Sequence, residues 1–281
     1  MNEITRAMLS SWEIRPFILA FLLTLGVLYT VGWVRLHGKS AVLAKRLRLF
    51  LYWLGLLLVF LALMSPLETL SGVSFTVHMV QHLLLVMFAP APLMAAEPLP
   101  MIMWGLPVRL RRRVGKAMFG RTSPARAVIR ITAKPGFVWG AFFIFLWGWH
   151  DPNLYNATLV QEWVHDFEHI SFFYVAMLLW WHITAAAPRI HKRFGYPARI
   201  AMTLGCLPAN MLAGVIIAMS PKVLYTGYLP FENLNPFGFS VLEDQQLGGV
   251  IMWVPGSMMY VIAVVLLVSV WLSAREGAAK A

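Results

Sequence analysis

The sequence predicts an all-α membrane protein, a polytopic bundle of seven transmembrane helices. Hydrophobic residues make up 59% of the 281 positions and charged residues only 12%, which excludes an ordinary soluble domain. Several apolar runs approach the roughly 20 residues that a helix needs to cross a bilayer. The single cysteine, Cys206, excludes a disulfide framework and any metal site built from several thiolates. We therefore expect one integral membrane domain over residues 1–281.

Three spans are expected in the first third of the chain. Residues 17–34 form an apolar run that is too long for the core of a cleaved signal peptide, so we interpret them as a retained first span. A second run, 47–64, ends before a Ser-Pro pair. A third, 73–95, follows after a short loop and carries two histidines in its first turns.

A basic loop, 97–135, separates these spans from four more. The fourth span ends in the aromatic sequence Trp-Gly-Trp-His, and the fifth opens with alternating charged and imidazole side chains. A loop rich in proline, glycine and aromatic residues precedes the seventh. The expected bounds of these four spans are 136–150, 163–186, 198–219 and 247–272.

The charges orient the predicted bundle. Of the 23 Lys and Arg residues, 20 fall in the loops between spans 1 and 2, 3 and 4, and 5 and 6, and in the C-terminal tail. The positive-inside rule makes these segments cytoplasmic, which puts the N-terminus outside and the C-terminus inside. Ten of the 12 acidic residues fall on the opposite, outer side. The net charge of +11 then faces the anionic inner leaflet, and no nucleic-acid partner is needed to explain it.

Five of the eight histidines are expected at one depth, in the outer third of the membrane. Two pairs with i, i+4 spacing open the third and fifth spans, and such a pair lies on one face of a helix. The fifth histidine ends span 4. Pairs of this kind on neighbouring helices predict a metal site in the bundle core. The predicted ligands are His78, His82, His150, His165 and His169.

Other side chains near this depth are candidates for additional ligands or for partners that orient the imidazoles. Neutral imidazole suits copper, zinc and iron, and thioether sulfur adds a preference for Cu(I). Acidic neighbours hold imidazole rings and fix their tautomers. The candidates are Met64, Met79, Gln81, Asp151, Asp166, Glu168 and Asp244. Copper is the expected metal, and zinc and haem are the alternatives.

Three other interpretations of the histidines stay open at this point. His165, Glu168 and His169 fit the H-x-x-E-H pattern of inverted zinc peptidases, in which two histidines bind zinc and the glutamate activates water. Paired imidazoles on facing helices also ligate haem, which would make the protein an electron-transfer subunit. In the third interpretation, interhelical hydrogen bonds alone hold the helices together and no ligand binds.

Four sequence motifs carry a resemblance to a known family. They are His78-Met79-Val80-Gln81-His82, Trp149-His150-Asp151-Pro152-Asn153-Leu154-Tyr155, His165 with Glu168-His169-Ile170-Ser171-Phe172, and Asp244-Gln245-Gln246 continuing to Trp253-Val254-Pro255-Gly256. In this order they resemble the CtaG family of cytochrome c oxidase assembly factors, the seven-span type associated with cytochrome-c-bearing haem–copper oxidases. The resemblance covers spans 3 to 7.

The resemblance implies a multi-pass protein of the bacterial cytoplasmic membrane that matures a terminal oxidase. It implies a partnership with haem–copper oxidase subunits and a role in delivering or inserting copper. We expect no enzymatic activity, with the metallopeptidase as the minor alternative. The copper centres of such oxidases lie on the outer side of that membrane, which is the depth expected for the histidines.

Overall fold

The computed structural model describes residues 6–7, 10–40, 44–188 and 194–279, and over these ranges the chain is helical, without a β-strand. Helices account for 81% of the structure, which confirms the predicted all-α class. Part of the predicted inner loop between spans 5 and 6, residues 189–193, lies outside the described ranges.

The helix bounds follow the predicted spans closely, with short helices added in the loops. In chain order the α-helices are α1 (Pro16–Leu36), α2 (Arg46–Met64), α3 (Pro66–Ser71), α4 (Phe75–Leu83), α5 (Pro90–Ala95), α6 (Pro98–Gly105), α7 (Val108–Phe119), α8 (Pro124–Thr132), α9 (Pro135–Trp149), α10 (Pro152–Val160), α11 (Glu162–Thr184), α12 (Tyr196–Ala218) and α13 (Val241–Ala279). A π-helical turn, Leu84–Phe88, joins α4 to α5, and a 3₁₀ segment, Thr226–Leu234, precedes α13.

Among the described residues, five helical segments are long and apolar enough to cross a membrane by themselves. A sixth results if α8 and α9, whose axes are bent by 68° relative to each other, form one broken span. The five are α1, α2, Phe75–Ala95, α12 and Val241–Gly277. The predicted fifth span, α11, has a sufficient length of 23 residues, but polar side chains such as Glu168 and His182 lower its mean hydropathy. Several apolar helices thus indicate a multi-pass membrane protein, while the seven-span count and the orientation stay predictions.

Two large hydrophobic clusters fill most of the described molecule, with a small third one around Leu70, Val73 and Val77, and the interrupted third span lies between the two large ones. The larger cluster includes buried residues of α4, α9, α11, α12 and α13, among them Phe142 and Leu179. The smaller one joins α1, α2, α5 and α6 around the stacked rings of Tyr29 and Tyr52. Because α4 and the π-helical turn contribute to the larger cluster and α5 to the smaller, residues 75–95 are held from both sides.

The break in this span follows from Pro90. A proline has no backbone N–H, so the carbonyl four residues earlier, that of Val86, loses its usual helical donor. The indole N–H of Trp180 on α11 donates to this carbonyl at 3.0 Å. Membrane proteins accommodate a helix-breaking proline when a neighbouring helix donates a hydrogen bond to the carbonyl that the proline leaves free. The π-helical turn is therefore fixed to α11 immediately beyond the two histidines of α4.

Candidate metal centre

Two neighbouring helices bring four metal-ligating side chains together in the interior. His78 and His82 lie one turn apart on α4, and Glu168 and His169 lie in the second turn of α11. One nitrogen or oxygen atom of each lies within 4.8 Å of the others. His78 and Glu168 are completely buried, and His82 and His169 are at most 6% exposed. We call these four residues the central cluster.

Two of the donor-atom separations approach those of ligands around one ion. The Nε2 atom of His78 lies 3.5 Å from one carboxylate oxygen of Glu168, and the Nε2 atom of His82 lies 3.6 Å from the other. Two ligands of a tetrahedral ion, each about 2.0–2.1 Å from the metal, are about 3.3 Å apart. The two observed separations are slightly longer, and one donor atom of each side chain lies within 4.8 Å of the others, which makes the four residues candidate ligands of one small cation.

Six nitrogen and oxygen atoms of these four side chains are buried without a hydrogen-bond partner among the described residues. They are Nε2 of His78, both ring nitrogens of His82, Nε2 of His169 and both carboxylate oxygens of Glu168. The two nitrogens of one imidazole point away from each other, so at most five of the six atoms can face one ion. Leaving one buried polar group without a partner costs about 1–3 kcal/mol, and more when the group is charged. So many unpaired atoms in one group make these four side chains a candidate site for a shared ligand.

A chain of hydrogen bonds orients His78 so that its Nε2 atom faces the central cluster. The hydroxyl of Tyr228 donates to the carbonyl of Ser71 at 3.0 Å, and that carbonyl can only accept. Tyr228 consequently accepts from the Tyr155 hydroxyl at 2.8 Å, and Tyr155 accepts from Nδ1 of His78 at 2.6 Å. With the proton on Nδ1, Nε2 of His78 carries a free lone pair that faces Glu168.

His165 lies between the central cluster and the surface. Its ring is 4.2 Å from that of His169 and 5.1 Å from that of His78, measured between ring centroids. Its Nδ1 atom lies 3.7 Å from a carboxylate oxygen of Glu68 on α3. His165 and Glu68 also line an open cavity of about 390 Å³, together with acidic side chains that include Glu13 and Glu162. We call this cavity the acidic vestibule.

Glu68 is fixed from two other directions. Arg15 donates to Glu68 at 2.8 Å and to Asp166 at 2.5 Å, and the side-chain amide of Gln81 donates to the second Glu68 oxygen at 2.5 Å. Burial raises the pKa of Glu68 to about 7, while the positive charge of Arg15 acts in the opposite direction. Gln81 and Asp166 therefore contact the wall of the vestibule rather than the imidazoles of the central cluster.

His150 lies apart from the central cluster. Its ring is 6.1 Å from that of His82, and it does not belong to the group of four whose donor atoms converge. Its Nδ1 atom donates to the carbonyl of Leu146 at 2.7 Å. The sequence thus predicts five histidines at one depth, and the structure divides them into three in the central cluster, one beside the vestibule and one to the side.

The remaining candidates have structural positions. Asp244 holds the start of α4, since its carboxylate accepts from the hydroxyl of Ser74 at 2.9 Å and the backbone N–H of Phe75 at 2.6 Å. Asp151 caps α10. Met64 lies in the smaller hydrophobic cluster, whereas Met79 lines a cavity between His82 and His150.

Sequence reasoning did not single out Tyr155 and Tyr228, the two tyrosines that orient His78. Tyr155 stands in the motif Trp-His-Asp-Pro-Asn-Leu-Tyr, and Tyr228 lies in the aromatic loop before α13. Both are buried although they belong to short helical segments that connect the predicted spans. The available signal was the presence of tyrosine in two loops on the same predicted side.

In the H-x-x-E-H pattern, Glu168 lies beside the two histidines of α4, whereas His165 lies beside Glu68.

Comparison with known proteins places these features in one family. The family model of the cytochrome c oxidase caa3 assembly factor (Caa3_CtaG) matches residues 27–274. An uncharacterized protein of Mycobacterium bovis is 27% identical over 273 residues, and one of Mycobacterium tuberculosis is equally similar. An uncharacterized protein of Mycobacterium leprae is 24% identical. These alignments cover 92–94% of the chain but only 39–40% of the relatives, so the chain spans well under half of their length. No solved structure matches.

Proposed function

Because the chain belongs to the family of cytochrome c oxidase caa3 assembly factors, we propose that it binds copper at the central cluster and delivers it to a haem–copper oxidase subunit. Its place is then the bacterial cytoplasmic membrane, with the central cluster toward the outer side. Copper is the cargo in this proposal, and the protein acts as a carrier rather than as an enzyme.

The observation that carries the proposal is the grouping of four side chains whose buried donor atoms lack hydrogen-bond partners among the described residues. A purely structural role predicts that buried polar atoms are paired, because an unpaired one is costly. Metal coordination by three imidazoles and one carboxylate gives at least one donor atom of each of the four side chains a partner.

The charge of the donor set suits copper in an apolar interior. Three neutral imidazoles and the Glu168 carboxylate carry one negative charge, so bound Cu(I) gives a neutral centre and bound Cu(II) a centre with one positive charge. A low net charge limits the cost of burial, which is several kcal/mol for an uncompensated ion. Imidazole ligands bind copper well, and the family's oxidase partners require copper.

The acidic vestibule supplies a route for the ion. A cleft lined by carboxylates concentrates cations. A carboxylate oxygen of Glu68 in the vestibule lies 3.7 Å from Nδ1 of His165. The ring centroid of His165 in turn lies 4.2 Å from that of His169 in the central cluster. We infer that copper enters or leaves along this line and that His165 is the intermediate ligand.

The test is metal quantification on the detergent-purified full chain after copper loading. Wild-type protein is expected to hold about one copper ion at the central cluster, and the double variant His78→Ala/His82→Ala is expected to lose it because two of the three imidazoles are gone. His37→Ala is the matched control, since His37 lies at the other end of α1 and stacks on Trp33. A wild type that stays free of copper while its helical circular dichroism is intact would overturn the proposal.

The same preparation separates copper from the two alternative ligands. A Soret band would identify haem and would count against a copper carrier. Stoichiometric zinc that persists through copper loading, together with cleavage of a peptide substrate that Glu168→Gln abolishes, would identify a peptidase.

A further inference from the structure

A second, smaller cavity lies beside the central cluster and shares no lining residue with the vestibule. It has a volume of about 30 Å³, which accommodates a water-sized species and excludes an organic cofactor. His82 and His150 contribute imidazoles to its wall, and Met79, Met87 and Met252 contribute thioether side chains. We call it the methionine cavity.

His150 presents an unprotonated nitrogen in this region. Its Nδ1 atom lies 2.7 Å from the Leu146 carbonyl, and since a carbonyl only accepts, Nδ1 carries the proton. Nε2 therefore bears a lone pair, and it is buried without a hydrogen-bond partner among the described residues. A histidine that binds a metal requires this tautomer, with a lone pair that no hydrogen bond occupies.

The three methionines come from three separate elements and line the same cavity. Met79 is on α4, Met87 is on the π-helical turn, and Met252 is on α13. Each is at most 5% exposed. Thioether sulfur is a soft ligand that selects Cu(I) over Zn²⁺ and over harder ions. The set of ligands is neutral, which also favours a monovalent over a divalent cation, because a smaller charge is cheaper to bury.

We propose that the methionine cavity is a second metal site, which binds a monovalent copper ion through Nε2 of His150 and the thioethers of Met79, Met87 and Met252. The central cluster, built from three imidazoles and a carboxylate, then binds a separate ion. His82 lies between the two sites, 6.1 Å from His150 and 5.5 Å from His169 between ring centroids, so both sites belong to one path. That the bound ion is copper rests on the proposed function. The choice of ligand residues for the second site rests on the lining of the cavity and on the tautomer of His150.

The experiment is an anaerobic titration of the full-length protein in detergent with Cu(I), in competition with a chromophoric chelator. The variant Met79→Leu/Met252→Leu keeps volume and hydrophobicity, and such exchanges are well tolerated in cores. The matched control is Met211→Leu/Met258→Leu, because these methionines lie on α12 and α13 but are 40% and 56% exposed. Wild type and control are expected to bind one more Cu(I) per chain than the cavity variant does.

A second measurement keeps the test independent of variant folding. X-ray absorption at the copper edge of selenomethionine-labelled wild type, loaded with Cu(I), is expected to show a selenium neighbour. Equal Cu(I) binding by the cavity variant and the wild type, or a copper shell of nitrogen and oxygen alone, would overturn the second site. His169→Ala separates the two proposals, since it removes a ligand of the central cluster only. If His169→Ala loses no ion but the cavity variant loses one, the central cluster fails and the methionine cavity stands.

Discussion

At the residue scale, the decisive feature is the direction in which each buried imidazole points its lone pair. The relay from the Ser71 carbonyl through Tyr228 and Tyr155 ends on Nδ1 of His78, and this leaves Nε2 toward Glu168. Groups that hold a ligating histidine from behind typically change metal affinity by 10–100-fold. The two tyrosines thus orient His78, and in the proposed site they would act on the ion through this histidine without touching it.

Removal of the Tyr155 hydroxyl tests this relay. Tyr155→Phe keeps the ring that packs against Phe75 and Tyr225 but removes the nearer acceptor for His78 Nδ1, which leaves the Tyr228 hydroxyl at 3.3 Å. We expect copper affinity at the central cluster to fall by about 10–100-fold, because the remaining longer contact holds the tautomer less firmly. Competition titration measures the affinity, and thermal unfolding shows whether the fold is kept.

Tyr174→Phe is the control for this prediction, since Tyr174 lies on α11 but is 50% exposed. Unchanged affinity in Tyr155→Phe, with wild-type thermal stability, would show that the relay does not set the tautomer.

At the element scale, close packing of α1 on α6 supports the first span, which carries few buried side chains. Gly32 lies directly against the backbone of Met101, and Gly105 lies against the backbone of Leu28, so neither position has room for a Cβ atom. Small residues that allow backbones to approach are a common basis of helix association in membranes. Arg35, at the end of α1, donates to the carbonyls of Trp104 and Gly105 at 2.8 and 3.0 Å. This interface anchors α6, and through it the start of the basic loop.

Gly32→Ala tests this packing through the sign of its effect. In an open helix position, alanine stabilises relative to glycine by roughly 0.5–1 kcal/mol. At Gly32 the new methyl group meets the Met101 backbone, which cannot rotate away as a side chain can, so we expect a loss of about 1–3 kcal/mol. Thermal unfolding followed by circular dichroism in detergent measures the difference.

Gly140→Ala is the matched control, because Gly140 lies within α9 and nothing surrounds its Cβ position within 4 Å. Equal melting temperatures for the two variants would contradict close contact between α1 and α6.

At the scale of the whole molecule, polar side chains gather at two ends. At one end, Arg15, Glu68 and Asp166 border the acidic vestibule. At the other, Arg48 lies 3.9 Å from Glu97, and both line a cavity of about 640 Å³ together with Arg199. This separation agrees with the two groups of loops that the charge count distinguishes. The positive-inside rule predicts which end faces the cytoplasm.

Labelling of single introduced cysteines measures the orientation. The native Cys206 is fully buried, so wild-type protein provides the blank. Asn233 lies on the 3₁₀ segment and Thr122 in the turn between α7 and α8, and both are exposed. We expect a membrane-impermeant maleimide to label Asn233→Cys in intact cells and Thr122→Cys only after lysis. The reverse pattern would invert the predicted topology.

The sequence alone predicted most of the helices within a few residues. The predicted spans 47–64 and 136–150 correspond to helices Arg46–Met64 and Pro135–Trp149. Such boundaries are local properties, set by apolar runs and by proline at the first helical positions. The family was also predictable, because its motifs keep their order in the sequence, and the match over residues 27–274 confirms it. The hydropathy of α11 was the exception, since polar residues of the central cluster dilute its apolar pattern.

What the sequence determined by itself is therefore the set of helices and the supply of candidate ligands, since i, i+4 spacing fixes which side chains share a helix face. Which of them meet was decided by tertiary structure. The sequence gives neither the rotation of α11 about its axis nor its height relative to α4, and these two quantities bring Glu168 and His169 onto His78 and His82. The same packing leaves His150, at the end of α9, outside that group, with its ring centroid 6.1 Å from that of His82.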